Sequence, residues 1–152
     1  MDRIKITIEQ ESLDTPTTFV NSMFVLVHIN GNALPKILDT ETFFAIKQSN
    51  GLIPLFTCGC GVFGCGGYYV DVSCTDSALI LHNSYHRFDR SLQSEFECHL
   101  DWQQVRGIAQ EILTYLEKMQ ERDPQALVTT GHWGNNLLDL IPEFRKSLLL
   151  LL

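Results

Sequence analysis

The chain has 152 residues, 45% of them hydrophobic and 19% charged, a balance that excludes an intrinsically disordered chain and suits a single globular domain, 1–152. Its formal net charge is −7, and the 11 Lys and Arg residues are scattered, which argues against the clustered cationic footprint of a nucleic-acid binder. No stretch approaches the ~20 apolar residues that cross a bilayer, and the leucine run 148–152 is too short to do so.

Ile4, Ile6 and Ile8 alternate with Arg3, Lys5, Thr7 and Glu9, the period-two pattern of a half-buried strand, and this start lacks the continuous apolar run of a signal peptide. A turn-prone stretch, 12–18 with Pro16, follows. Residues 19–29 are almost continuously apolar, so 23–27 reads as a strand covered on both faces, with His28 a hydrogen-bonded core residue. Asn30-Gly31-Asn32 closes the run with residues that tolerate positive φ. Asp39 then caps a short helix whose buried side is Phe43, Phe44 and Ile46, stopped at Asn50-Gly51. Residues 52–57 read as a strand leading into a Cys/Gly stretch.

Beyond that stretch, Tyr68, Val70, Val72 and Cys74 share one strand face and Tyr69, Asp71 and Ser73 the other, with Thr75-Asp76-Ser77 turning into a strand at 78–83. Residues 84–94 carry His86, Arg87, Asp89 and Arg90 without a regular period and read as a surface connection. Alternation resumes at 95–100 with Phe96, Cys98 and Leu100 inward. Asp101 as N-cap, Gln104 completing a capping box, and Trp102, Val105, Ile108, Ala109, Ile112, Leu116 and Met119 at helical spacing then predict a long amphipathic helix over about 101–122. Asp123-Pro124 ends it. Residues 126–129 read as a short strand or extended strap, 131–136 as a loop, and 137–140 and 143–152 as apolar pieces interrupted at Pro142. The predicted fold class is α+β: a mostly antiparallel sheet packed on one face by the long helix.

Three of the five cysteines fall in Cys58-Gly59-Cys60-Gly61-Val62-Phe63-Gly64-Cys65. Cys58 and Cys60 point the same way on an extended backbone, and Cys60 and Cys65 flank four residues able to form a hairpin tip. Three convergent thiolates are zinc ligands in kind, and a closed site needs a fourth, for which Cys74, His82, Cys98 and His99 are the candidates. The plainer reading is a tight strand crossing built from small residues. A Cys60–Cys65 redox pair is the third reading, without the Cys-x-x-Cys helix start that lowers a thiol pKa. The glycines lack the phosphate-loop and dinucleotide spacings. An odd number of cysteines fits free thiols in a reducing, cytoplasmic setting.

The run Leu55-Phe56-Thr57-Cys58-Gly59-Cys60-Gly61-x-x-Gly64-Cys65-Gly66-Gly67, followed by an alternating Tyr/Val strand, resembles a core of small bacterial proteins in which a Cys-x-Cys-Gly-x-x-Gly-Cys-x-Gly signature joins two sheet strands. The resemblance spans about 52–102 and implies the fold without implying an activity.

The five histidines, His28, His82, His86, His99 and His132, form no His-x3-His or His-Glu-x-x-His pair, and there is no Gly-x-Ser-x-Gly elbow. Cys98 and His99 are adjacent but project to opposite strand faces, so they do not cooperate as nucleophile and base. Trp133 reads as a plug over the sheet in preference to an exposed anchor. The resulting order of expectation is a small, acidic, non-catalytic interaction protein of immunity-like or regulatory kind; then a structural zinc domain on Cys58, Cys60 and Cys65; then a thiol redox protein. The expected partner is a protein, with no nucleic acid and no membrane involved.

Overall fold

The computed structural model describes residues 1–14, 19–57, 67–82, 97–130 and 135–151. Expectations for 15–18, 58–66, 83–96, 131–134 and 152, including those for Pro16, Cys58, Cys60, Cys65, His86, Phe96, His132 and Trp133, lie outside the described residues.

Among the described residues seven strands run as an antiparallel meander in chain order: β1 (Ile4–Asp14), β2 (Phe19–Ile29), β3 (Asn32–Leu38), β4 (Gly51–Thr57), β5 (Gly67–Cys74), β6 (Ala78–His82) and β7 (Glu97–Asp101). The eighth strand of the sheet, β8 (Leu127–Thr129), pairs parallel to β2. β2 therefore has its second edge shared, β3 pairing from Leu26 to Ile29 and β8 from Val20 to Ser22. The expected coverage of 23–27 on both faces does not hold: Met23, Val25 and Val27 are buried under the helices, whereas Phe24 and Leu26, on the other face, are only half-buried.

β1 pairs with β2 without a break from Ile4–Ile29 to Asp14–Phe19, longer at both inner ends than the period-two pattern alone indicates. Asn30 (φ 52°) and Gly31 (φ 84°) form the two-residue link to β3, both left-handed as a type I′ hairpin requires. β3 itself has no clear sequence signal, and its thin ladder shows why. It makes three pairs to β2 across a bulge and two to β4, and Pro35 within it has no N–H to donate.

The helices α1 (Thr40–Phe44), α2 (Trp102–Arg122) and α3 (Ile141–Leu150) gather over the same face of the sheet. Val25, Val27, Val70, Val72, Leu79, Leu81, Cys98 and Leu100 meet Val105, Ile108, Ile112 and Leu116 of α2 in one buried cluster. At ~1.5–3 kcal/mol for each fully buried large apolar side chain, this layer contact dominates the fold's stabilisation. Phe44 and Phe144 stack at 4.2 Å and 15°, joining α1 to α3. Trp102 donates Nε1–H to the Thr75 carbonyl at 2.8 Å, and the Lys47 ammonium lies 4.2 Å from its ring centre. This fixes the start of α2 against the β5–β6 turn.

Two local expectations are corrected. The two C-terminal pieces divide at Leu140–Ile141 and not at Pro142, which sits in the first turn of α3, where its missing N–H would be unpaired in any residue. His28 is half-buried and lines a cleft instead of joining the core, because β2 alternates and Val27 takes the inward side. No helix among the described residues is long and apolar enough to cross a membrane.

Candidate functional site

The sheet curls until its two outer strands meet. Asp2 donates its N–H to the His99 carbonyl at 2.9 Å, and its carboxylate accepts from the His99 N–H at 2.7 Å and the Asn30 Nδ2 at 2.8 Å. Asn30 also returns a bond to β1, its Oδ1 accepting from the Arg3 N–H at 2.8 Å. Those donors hold the Asp2 carboxyl below the ordinary aspartate pKa, the His99 backbone bond being the largest cause and Asn30 the next. Gln104 completes the clasp. Asp101 Oδ1 accepts its N–H at 2.8 Å as the capping box predicts, but its side chain does not close back on the cap's backbone. Instead Nε2 donates to the Asp2 carbonyl at 2.7 Å and Oε1 accepts the Ile4 N–H at 3.1 Å. Gln104 thus stands in for a neighbouring strand at the first residues of β1. A cleft of about 850 Å³ opens beside this clasp, lined by Arg3, Lys5, His28, Gly31 and Asp101 among others.

The face of the sheet opposite the helices presents a second set of groups. Asp71, His82 and Glu97 are direct cross-strand partners on β5, β6 and β7, so an imidazole lies between two carboxylates in one row. His99 joins from the next pair, its Nε2 3.4 Å from Glu97 Oε2. Ile80 lies between Ser73 and His99 on the same face, and the half-buried Phe24, Leu26 and Ile37 continue it across β2 and β3. Leu52, opposite Asp71, is 36% exposed.

The four residues considered as a fourth ligand divide between the faces. Cys74 points to the helix side at the far end of β5 from Gly67, its Sγ donating to the carbonyls of Ile46 at 3.3 Å and Ser49 at 3.5 Å. Cys98 is fully buried under α2. Burial pushes the Cys98 thiol up to about 12, with the Asp2 charge adding to the shift, and burial also raises Cys74 against the opposing influence of Lys47. Both thiols are therefore protonated and weakly nucleophilic near neutral pH. They lie two strands apart, roughly 9.5 Å or more, beyond disulfide reach. His82 and His99 lie on the opposite face. Among the described residues no three His, Cys, Asp or Glu side chains are grouped to hold a metal ion. Cys58, Cys60 and Cys65, the residues of the predicted cluster, belong to the segment between Thr57 and Gly67, which are themselves paired across β4 and β5.

Asp2, Asn30 and the strand-mimicking part of Gln104 carry no sequence signal as a set, since 102 positions separate the first from the last. The Asp71–His82–Glu97 row was readable only as separate surface charges, because strand register decides which residues meet. No protein-family model, curated protein or solved structure matches the chain. What fold and surface together define is an α+β protein with its helices on one side of a curled sheet and a mixed apolar and charged surface on the other.

Proposed function

We propose that this is a small acidic, non-catalytic binding protein of the cytoplasm, regulatory or immunity-like, that recognises another protein through the outer face of its sheet. The observation that supports it is the composition of that face: Leu26, Ile37, Leu52 and Ile80 set among Asp71, His82, Glu97 and His99. Non-obligate interfaces combine an apolar centre with a polar rim in this way, and a sheet supplies the rigidity that keeps the ordering cost of association low. The net charge of −7 favours a basic partner by electrostatic steering. Affinity capture from the native host tests the reading. Wild-type chain should retain a protein that the folded variant Ile80→Glu fails to retain. Failure to capture any protein, or equal capture by the variant, would overturn it.

A structural zinc role for Cys58, Cys60 and Cys65 is the second reading. It draws support from the Thr57–Gly67 pair, which makes the segment carrying these thiols a connection between antiparallel neighbours. Of the candidate fourth ligands, His82 closes β6 at the end of the sheet where Thr57 and Gly67 pair. Elemental analysis decides it, since a structural site retains about one zinc per chain and a thiol-only role retains none.

A further inference from the structure

The edge of the sheet at β1 carries an open hydrogen-bonding row. In β1 the odd residues bond toward β2, as the Asn30 N–H to Arg3 carbonyl bond shows, and the even residues face outward. At the first two outward positions the groups are taken: Asp2 bonds to His99 and Gln104, and the Ile4 N–H bonds to Gln104. From there on, no described residue bonds the outward N–H and C=O groups of Ile6, Ile8 and Gln10. A groove of about 610 Å³ runs alongside them, walled on the other side by α2 at Gly107, Glu111 and Tyr115. Gly107 keeps that wall low, since even a Cβ there would meet nothing within 4 Å.

The sequence of β1 says what fits this edge. Laid antiparallel on itself about Ile8, the strand sets Ile8 against Ile8, Ile6 against Gln10, Thr7 against Glu9 and Lys5 against Glu11. Lys5, Glu9 and Glu11 are all exposed on the outer face and have no ion-pair partner among the described residues. The two-fold axis makes the Lys5–Glu11 pair occur twice, and opposite charges directly across a strand pair are attractive. An axis at Thr7 would instead set Lys5 against Glu9 and Arg3 against Glu11, but it places Gln10 opposite Ile4, whose N–H Gln104 already holds; only the axis at Ile8 matches the open positions Ile6, Ile8 and Gln10 to one another.

We infer that the edge of β1 is a self-association surface, and that a second copy of this chain pairs with it antiparallel about Ile8 to form a symmetric dimer with one continuous sheet. The pairing supplies backbone partners to Ile6, Ile8 and Gln10 of both copies and leaves the Gln104 bond at Ile4 intact. It uses the strand edge and leaves the outer face free, so it stands apart from the partner reading above.

Sedimentation or light scattering of the full chain over a concentration series tests the inference. Wild type should show a monomer–dimer equilibrium. Lys5→Glu turns two attractive pairs into two repulsive ones and should weaken dimerisation about tenfold or more. Adding Glu11→Lys to Lys5→Glu recreates both pairs in reverse and should restore it. Ile8→Pro removes an outward N–H while leaving the bonds to β2, and should abolish the dimer. Circular dichroism on each variant separates lost pairing from lost fold. A chain that remains monomeric throughout, or a dimer indifferent to Lys5→Glu, would overturn the inference.

Discussion

Removing the Asp2 side chain should open the clasp that holds β1 to β7. In Asp2→Ala the His99 N–H and the Asn30 Nδ2 each lose a carboxylate acceptor, at 2.7 and 2.8 Å respectively. Hydrogen bonds to a charged group contribute about 1.5–3 kcal/mol when buried, but Asp2 lies near the surface, where solvent replaces much of each bond. A loss of about 1–2 kcal/mol is expected, or roughly 3–6 °C in Tm for a domain of this size. The pH dependence follows from the sign of the shift. The folded state holds the Asp2 carboxyl below its ordinary value, so its contribution is present above the unfolded pKa, near 4, and is lost as pH falls through the lower folded pKa. Urea denaturation of wild type and Asp2→Ala at neutral pH and near pH 3 measures both effects. The stability difference should be full at neutral pH and shrink in acid. Equal stability at neutral pH, or a difference that grows with acidification, would refute the clasp as a carboxylate-dependent feature.

Gln104→Ala should cost about 1–2 kcal/mol by freeing the Ile4 N–H and the Asp2 carbonyl, and amide exchange at Ile4 should accelerate with little change at Ile112. The Cys98 thiol, pushed up to about 12, should resist alkylation in the native protein at mildly alkaline pH and react at once in denaturant, as mass spectrometry of labelled peptides would show. Gly31→Ala should destabilise by about 1 kcal/mol in chemical denaturation, because the β2–β3 turn holds this residue at φ 84°, where a Cβ is strained. Phe144→Ala should cost about 3–5 kcal/mol by removing one ring of the stacked pair with Phe44, detectable as a lowered denaturant midpoint.

Much of the fold was legible because local patterns carried it. The alternation of Ile4, Ile6 and Ile8, the Asn30-Gly31 turn, the Thr75–Ser77 turn, the Asp39 and Asp101 caps and the helical spacing from Trp102 to Met119 all depend on residues within a turn or two of one another. These suffice for an α+β architecture with a long helix. β3 was not legible, since its ladder is short and bulged and Pro35 gives no donor. The parallel pairing of 127–129 with β2 was not legible either, because three residues carry no periodicity that names a partner.

Local patterns carried most of the elements, β3 excepted, and the residue inventory alone gives the net charge of −7 and the thiols at Cys58, Cys60, Cys65, Cys74 and Cys98. What those elements bring together follows from their packing. Register, which a shift of one residue would invert, placed His82 between Asp71 and Glu97 on the outer face and put Cys98 under α2. Curling of the sheet brought Asp2 to His99 and turned the Gln104 side chain from a local cap into the partner of β1. The physical reason is one of range: propensity and capping act over a few residues, whereas these contacts span about a hundred and are settled by the packing of the whole sheet on its helices.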